Sequence, residues 1–285
     1  MNINLSRFIV FACVGLIANI AAAQITLDAV RDSASFAAGF NEEGVPGFTS
    51  NNFGAHTHVP VGRANSDRVN RAVFDFDIAG MIPSGATVTN AVFEFDVKLQ
   101  GGPQGMGSDD FSLHRLTKAW DEGTGLGNIG EATGDGFTWA NATAMVPWDN
   151  LGGDFDATTS GTVLVNGPNV YQLTSPKLIS DVQDIVDGTA PNYGWLLKAV
   201  TEEVMGSAAR VSSREASSAA RLIVTIDADV LLGDVNLDGI VSLLDVAPFV
   251  DRISTSTFQA EADCNEDGFV NLLDVDPFVL ILTGG

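Results

Sequence analysis

Basic residues and cysteines are scarce in this sequence. Its 285 residues include only 14 lysines and arginines against 36 aspartates and glutamates, which gives a formal net charge of −22. Nucleic-acid binding needs a basic surface that neutralises phosphates, so this composition excludes that class of partner. The two cysteines are too few for a disulfide-rich scaffold. Because 45% of the residues are hydrophobic and only 18% are charged, we expect a folded chain with a packed core.

Long hydrophobic runs are absent beyond the N-terminal segment, so we expect no membrane span in the mature chain. Residues 1–23 carry one charge, Arg7, then an apolar stretch at 8–20 and three alanines that end at Ala23. This order predicts a signal peptide that is cleaved near Ala23, and hence a secreted or cell-surface protein. The stretch has about 13 residues where a spanning helix needs ~20, which makes a membrane anchor the weaker alternative. Cleavage removes Cys13 and leaves only Cys264, so the mature chain has no internal disulfide.

Residues 231–285 contain an internal repeat. One copy, GDVNLDGIVSLLDVAPFV, begins at Gly233, and the other, ADCNEDGFVNLLDVDPFV, begins at Ala262. Each contains the pattern D-x-N-x-D-G, which opens a 12-residue calcium loop, and calcium takes roughly 6–8 oxygen ligands. The alternative is a pair of Asp/Asn/Gly turns, but two copies in register favour two bound calcium ions. The ligands predicted at loop positions 1, 3, 5, 7, 9 and 12 are Asp234, Asn236, Asp238, Ile240 (backbone carbonyl), Ser242 (through water) and Asp245, and then Asp263, Asn265, Asp267, Phe269, Asn271 and Asp274.

A helical segment with an early proline follows each loop. Ser242 and Asn271 are suitable N-caps, and Pro248 and Pro277 are incompatible with a helix interior. We therefore predict a short helical turn, a break, and a second helix that has the proline near its start. The side chains predicted to pack the two copies together are Val250, Ile253, Val279 and Leu282.

Two calcium loops in tandem, each followed by a helix but without an entering helix, resemble a type I dockerin. The resemblance covers residues 231–285 and implies a small α-helical module that folds on calcium and binds a cohesin domain. Dockerins usually have polar residues at loop positions 10 and 11, whereas this sequence has Leu243-Leu244 and Leu272-Leu273. These leucines either form a partner-binding surface or pack the two copies against each other.

Residues 24–230 alternate apolar and polar residues over short segments. Phe74 and Phe76 are predicted on one face of a strand with Asp75 and Asp77 on the other, and residues 92–99 show the same pattern. One helix is predicted from Pro176, with Ser175 as N-cap and a stop at Gly188. Many strands with little helix predict a mainly β fold, a jelly-roll-like β-sandwich.

Several segments of this region resemble the DNRLRE-type domain of secreted bacterial proteins. They include NNFG at 51–54, RAVFDFDIAGMIPSGATVTNAVFEF at 71–95, NYGWLL at 192–197 and SSREA at 212–216. The resemblance implies a jelly-roll-like β-sandwich and, because some relatives are carbohydrate-binding modules, a polysaccharide as a partner.

Two groups of residues are candidates for glycan binding. Trp120, Trp139 and Trp148 could stack against sugar rings, or they could fill the core. The group Arg63, Arg68 and Arg71 could bind acidic sugars, as could a second group, Arg210, Arg214 and Arg221, or these arginines could pair with internal acids.

No catalytic motif stands out in the sequence. The patterns G-x-S-x-G and H-E-x-x-H and a phosphate loop are absent, and adjacent acids such as Asp121-Glu122 and Glu202-Glu203 do not define the separated carboxylates of a glycosidase. The leading hypothesis is a secreted, non-catalytic polysaccharide- or surface-binding protein that is tethered through its C-terminal module. The alternatives are a polysaccharide-degrading hydrolase or lyase and a structural surface protein.

Overall fold

A computed structural model describes residues 22–37, 50–83, 86–100, 108–127, 135–227 and 231–284. Residues 1–21 of the predicted signal peptide lie outside the described residues. The chain divides into two compact units, a β unit at Ala22–Asp227 and a C-terminal unit that contains residues 231–284. None of the helices in the described ranges is long and apolar enough to cross a membrane.

The β unit is an antiparallel sheet that is curled into two layers, which confirms the mainly β, sandwich-like fold. Its described residues form eleven strands: β1 (Ala22–Asp28), β2 (Arg31–Phe36), β3 (His58–Arg63), β4 (Val69–Asp75), β5 (Thr87–Gln100), β6 (Asp109–Arg115), β7 (Gly161–Val165), β8 (Asn169–Leu173), β9 (Trp195–Ala199), β10 (Ala209–Ser212) and β11 (Arg221–Asp227). The order is β1-β11-β5-β10-β3-β4-β9-β6-β7, with β2 paired to β4 and β8 paired to β5.

Strand β3 links the two layers. Its first residues pair with β10, whereas Gly62 and Arg63 pair with β4. Gly62 has a φ of +94°, and a Cβ there would approach the carbonyl oxygen of Ser207 to 3.0 Å. Glycine therefore permits both the backbone conformation and the close approach of the chains where the sheet changes layer.

Phenylalanines from both layers form the centre of the core. Phe74 on β4 and Phe76 just after it contact Phe93 on β5, with ring centroids 5.5 and 6.1 Å apart. The predicted alternation is confirmed for these rings. The acids that alternate with them, Asp75 and Glu94, are buried as well, because ion pairs with Arg31 and Arg221 cover them.

A short helix, α1 (Ile78–Met81), follows β4, and a longer one, α2 (Pro176–Val186), confirms the predicted helix. The Oγ of Ser175 accepts a hydrogen bond from the backbone N–H of Leu178 at 3.0 Å, which caps the N-terminus of α2. Gly188, with a φ of +68°, lies just beyond its end.

The C-terminal unit has two equivalent helices, α3 (Val246–Thr255) and α4 (Val275–Leu282). A one-turn 3-10 segment, Leu243–Asp245 or Leu272–Asp274, precedes each helix and runs directly into it. The predicted helical turn and early proline are confirmed, but the break between turn and helix is absent. Each proline is the third residue of its α-helix, within the first turn, where backbone N–H groups need no helical acceptor.

Phe249 and Phe278 pack the two copies together, with parallel rings whose centroids are 3.9 Å apart. The prediction was wrong for Val250 and Val279, which are exposed, and right for Ile253 and Leu282, which lie against this core. The reason is helical spacing, since Phe249 lies on the same face as Val246 and Ile253, whereas Val250 is turned away from it. In the same way, Phe278 shares one face of α4 with Val275 and Leu282.

Candidate calcium-binding loops and surface sites

The first loop folds around the carboxylate of Asp234. Its Oδ1 accepts a hydrogen bond from the backbone N–H of Asp238 at 3.0 Å, and its Oδ2 accepts one from Gly239 at 2.8 Å. Gly239 has a φ of +84°, a conformation that glycine adopts without a steric penalty, and Leu237 also has a positive φ of +62°. The D-x-N-x-D-G pattern therefore places a carboxylate at the centre of a tight turn.

Asp245 closes the same loop from its other end. Its side chain is fully buried, and its two oxygens accept hydrogen bonds from the backbone N–H groups of Asn236 at 2.9 Å and Ser242 at 2.8 Å. The Oγ of Ser242 accepts a hydrogen bond from Leu244 at 3.1 Å, which completes a capping box at the start of the 3-10 turn. The residue at loop position 12 thus joins the loop to its helix.

The second loop repeats this arrangement residue by residue. Asp263 accepts hydrogen bonds from the backbone N–H groups of Asp267 at 3.1 Å and Gly268 at 2.8 Å. The buried Asp274 accepts them from Asn265 at 3.1 Å and Asn271 at 2.8 Å. The sequence repeat is therefore a repeat of geometry as well.

The donor set of each loop is chemically suited to calcium. Carboxylate, amide, hydroxyl and backbone oxygens are the ligands that this hard cation prefers. Burial raises the pKa of Asp263, and the neighbouring carboxylates of Asp274 and Asp267 raise it further, although hydrogen bonds from the loop oppose the shift. A bound cation would relieve this repulsion between carboxylates. In the described ranges, however, no group of three or more His, Cys, Asp and Glu side chains is arranged to hold a metal ion.

One family comparison bears on this unit. Residues 232–277 match the family model of the dockerin type I domain. The match includes both loops, all of α3 and the start of α4. Type I dockerins typically bind calcium. No curated protein matches the chain. The resemblance of residues 24–230 to DNRLRE-type domains has no support from these comparisons and stays a prediction.

Both leucine pairs of the dockerin-like unit lie on its surface. The exposed fractions are 79% for Leu243, 71% for Leu244, 76% for Leu272 and 68% for Leu273. Of the two alternatives, packing of the copies against each other is therefore wrong, because Phe249 and Phe278 have that role. The two pairs form equivalent exposed apolar patches.

The three tryptophans proposed as a sugar platform are buried. Trp120 and Trp148 flank Phe137 in a second hydrophobic cluster, and Trp139 lies under the guanidinium of Arg71, 4.8 Å from its ring centroid. The indole N–H of Trp120 donates to the carbonyl of Tyr193 at 2.8 Å. The platform prediction is wrong, because these rings pack in the interior and leave no broad exposed face for a sugar.

The first arginine group does not form an open basic patch. Arg63 pairs with Asp67, and Arg71 donates two hydrogen bonds to Glu202, at 2.7 and 2.8 Å. Arg68 lies over the ring of Phe36, 5.0 Å from its centroid. The prediction of a free glycan-binding cluster is wrong for Arg63 and Arg71, since internal acids neutralise them.

The second arginine group separates into different environments. Arg214 donates to both oxygens of Glu122, at 2.6 and 2.9 Å, and Arg221 pairs with Glu94. Arg210 is exposed, and its side chain makes neither a hydrogen bond nor an ion pair with another described residue. Glu122 and Glu202, which are members of the acidic pairs considered for hydrolysis, are both engaged by arginines.

Asp32 on β2 is a buried carboxylate that the sequence patterns did not single out. Its Oδ2 accepts a hydrogen bond from the backbone N–H of Arg214 at 2.6 Å, and its Oδ1 has no partner within the described part of the chain. Burial, reinforced by the negative charges of Glu215 and Glu122, raises the pKa of Asp32 to about 7. The sequence does not indicate that Asp32 is buried, because serines occupy positions of β2 where apolar residues are expected in a strand that is buried on both faces.

Proposed function

We propose that this chain is a secreted, non-catalytic binding protein. Its β unit contacts a polysaccharide or another surface, and its C-terminal unit attaches it to a cohesin domain of a partner protein. The observation that carries the proposal is the pair of equivalent loops, each with an exposed leucine pair, within the residues that match the dockerin family model.

In this proposal each loop holds one calcium ion. The ion supplies positive charge in a unit where acids far outnumber the single base, Arg252. The residues that hold the two ions are Asp234, Asn236, Asp238, Ile240, Ser242 and Asp245 in one loop, and Asp263, Asn265, Asp267, Phe269, Asn271 and Asp274 in the other. Loop closure then orients the 3-10 turn that carries each leucine pair, which makes partner binding dependent on calcium.

The leucine pairs are proposed to contact the cohesin. Burial of one leucine stabilises a complex by roughly 1.5–3 kcal/mol, so each pair is a substantial anchor. Because the copies are equivalent, we expect that replacing one pair with serine weakens binding and that replacing both pairs abolishes it. Leu280, exposed on α4 but outside both pairs, provides a control substitution to serine.

A panel of immobilised cohesin domains tests this function, with retention measured in calcium and in EDTA. Calcium-dependent retention that is lost in the four-leucine variant and kept in Leu280→Ser supports the tether. Absence of retention by every cohesin, or undiminished retention of the four-leucine variant, would contradict it.

Affinity electrophoresis of the full chain in gels that contain acidic or neutral polysaccharides tests the β unit. Retardation in at least one gel is expected. Unchanged mobility in every gel would refute polysaccharide binding, and release of soluble products from a retained polysaccharide would favour the enzyme hypothesis instead.

A further inference from the structure

The outer face of β3, β10 and β5 carries a row of side chains around Arg210. The strand register places Arg210 directly opposite Pro60 on one side and Leu99 on the other. Leu99 is 45% exposed, although most leucines of the β unit are buried. These three side chains therefore form a cross-strand surface of one cation flanked by two apolar groups.

This surface is one side of an open pocket of about 340 Å³. Asn65 and Ser66, from the turn that follows β3, line it together with small residues that include Gly206. The side chains of Asn65 and Ser66 are exposed and have no hydrogen bond with another described residue. The pocket thus offers polar groups whose hydrogen-bonding capacity is available to a ligand.

The charge of the pocket lining is opposite in sign to the net charge of the chain. Its lining residues are Pro60, Ala64, Asn65, Ser66, Asn70, Leu99, Gly206, Ala208, Ala209 and Arg210, which include no acid and a single base. Arg214 and Arg221, the nearest arginines in sequence, are both neutralised by glutamates. Within the described residues Arg210 has no such partner, so its positive charge remains available in a strongly acidic chain.

Two histidines beside the row do not add to its charge at neutral pH. His58 precedes Pro60 on the same face of β3, and its ring lies 3.9 Å from that of His56. Burial, with the positive charges of His56 and Arg210, lowers the pKa of His58 to about 4. Among the described residues that line the pocket, Arg210 is therefore the one with a positive charge.

We propose that this pocket binds an acidic sugar, a ring that carries a carboxylate or a sulfate ester, with Arg210 as the residue that determines specificity. The planar guanidinium donates two parallel hydrogen bonds to the anionic group. Leu99 and Pro60 contact the apolar face of the ring, and Asn65 and Ser66 bond to its hydroxyls. The proposal rests on the proposed polysaccharide binding of the β unit and gives that function a site and a ligand class.

Affinity electrophoresis of the full chain tests this site with four probes: polygalacturonate, alginate, dextran sulfate and neutral dextran. The variants are Arg210→Gln and, as a matched control, Arg221→Gln, which removes the same charge from an ion-paired position of the β unit. Arg210→Gln is expected to fold normally, because the guanidinium makes no hydrogen bond or ion pair with described residues that the substitution would break, and an unchanged thermal midpoint verifies this.

We expect retardation of the wild-type chain by at least one acidic polysaccharide and none by dextran. Arg210→Gln should weaken that affinity at least tenfold, whereas Arg221→Gln should change it less than threefold. Retardation by the uronates but not by dextran sulfate identifies a carboxylate as the anionic group, and the reverse identifies a sulfate ester.

Equal retardation of the wild type and Arg210→Gln, or retardation by dextran alone, would overturn the Arg210 site and leave polysaccharide binding standing. Absence of retardation in these gels, together with retardation by another neutral polysaccharide, would also overturn this site alone. Absence in every polysaccharide gel would overturn both proposals.

Discussion

Substitution of Asp245 tests the loop architecture most sharply, because this fully buried side chain satisfies two backbone N–H groups at once. Asp245→Ala leaves the N–H groups of Asn236 and Ser242 without acceptors. A fully buried donor without an acceptor costs about 1–3 kcal/mol. These two donors are partly buried, so we expect a loss of about 1–3 kcal/mol in the free energy of unfolding of the C-terminal unit even without calcium. With calcium the loss should be larger, because a ligand is removed as well.

Two further variants separate these effects. Asp251→Ala removes the same charge from an exposed position of α3, and its effect should be small. Asp245→Asn retains one acceptor oxygen but loses the charge, so without calcium it should lose less stability than Asp245→Ala. In calcium it should also lose much of the stabilisation that the ion provides.

The composition of the two units provides separate optical signals. All four tryptophans and both tyrosines lie in the β unit, so tryptophan fluorescence reports that unit, whereas circular dichroism at 222 nm reports α3 and α4 together with α2 of the β unit. Urea unfolding of the full chain, followed by both signals, should show a shifted helical transition and an unchanged tryptophan transition in Asp245→Ala. If Asp245→Ala and Asp251→Ala unfolded alike in EDTA and in calcium, the proposed role of Asp245 would be refuted.

Substitutions at three buried residues, with Val250 as an exposed control, probe the interior of both units. The pKa of Asp32 is raised from 3.8 to about 7, so the folded state binds this proton more tightly than the unfolded state, and stability should fall as pH rises from 4 to 7. Between pH 5 and pH 8 the free energy of unfolding, measured in urea, should fall by about 2–4 kcal/mol less in Asp32→Asn than in the wild type. An unaltered pH profile would contradict the raised pKa of Asp32. Phe249→Ala should destabilise the C-terminal unit by about 3–5 kcal/mol in calcium-loaded chemical denaturation, whereas Val250→Ala should cost under about 1 kcal/mol, and similar losses would refute the stacked core. Trp120→Ala should destabilise the β unit by about 3–5 kcal/mol in thermal unfolding. A variant of unchanged stability with altered glycan affinity would instead support the hypothesis that Trp120 binds sugar at the surface.

The sequence predicts the features that depend on local spacing. The loops follow from Asp, Asn and Gly at alternate positions, and α2 follows from Ser175, Pro176 and a regular apolar stripe. The β fold follows from two-residue alternation in segments such as 92–99. In each case neighbouring residues along the chain carry the signal, so a single sequence suffices.

Features that depend on distant parts of the chain could not be predicted in this way. The glycine-rich sequence around Trp120 suggests an exposed loop residue that could bind a sugar. Only the fold brings Trp120 against Phe137 and the carbonyl of Tyr193. Arg71 meets Glu202 across 131 positions of the chain, whereas Arg210 meets no acid among the described residues. Nearness in sequence groups these arginines, but the fold decides which acid each one meets, and this separates an ion-paired arginine such as Arg71 from Arg210.

The most direct test of the proposed function is calorimetric titration of the EDTA-treated full chain with calcium. We predict two ions per chain for the wild type and one for Asp234→Ala or Asp263→Ala, each of which removes the carboxylate at the centre of one loop. Absence of binding by the wild type, or two ions bound by either variant, would contradict the assignment of these loops as the calcium sites of the tether.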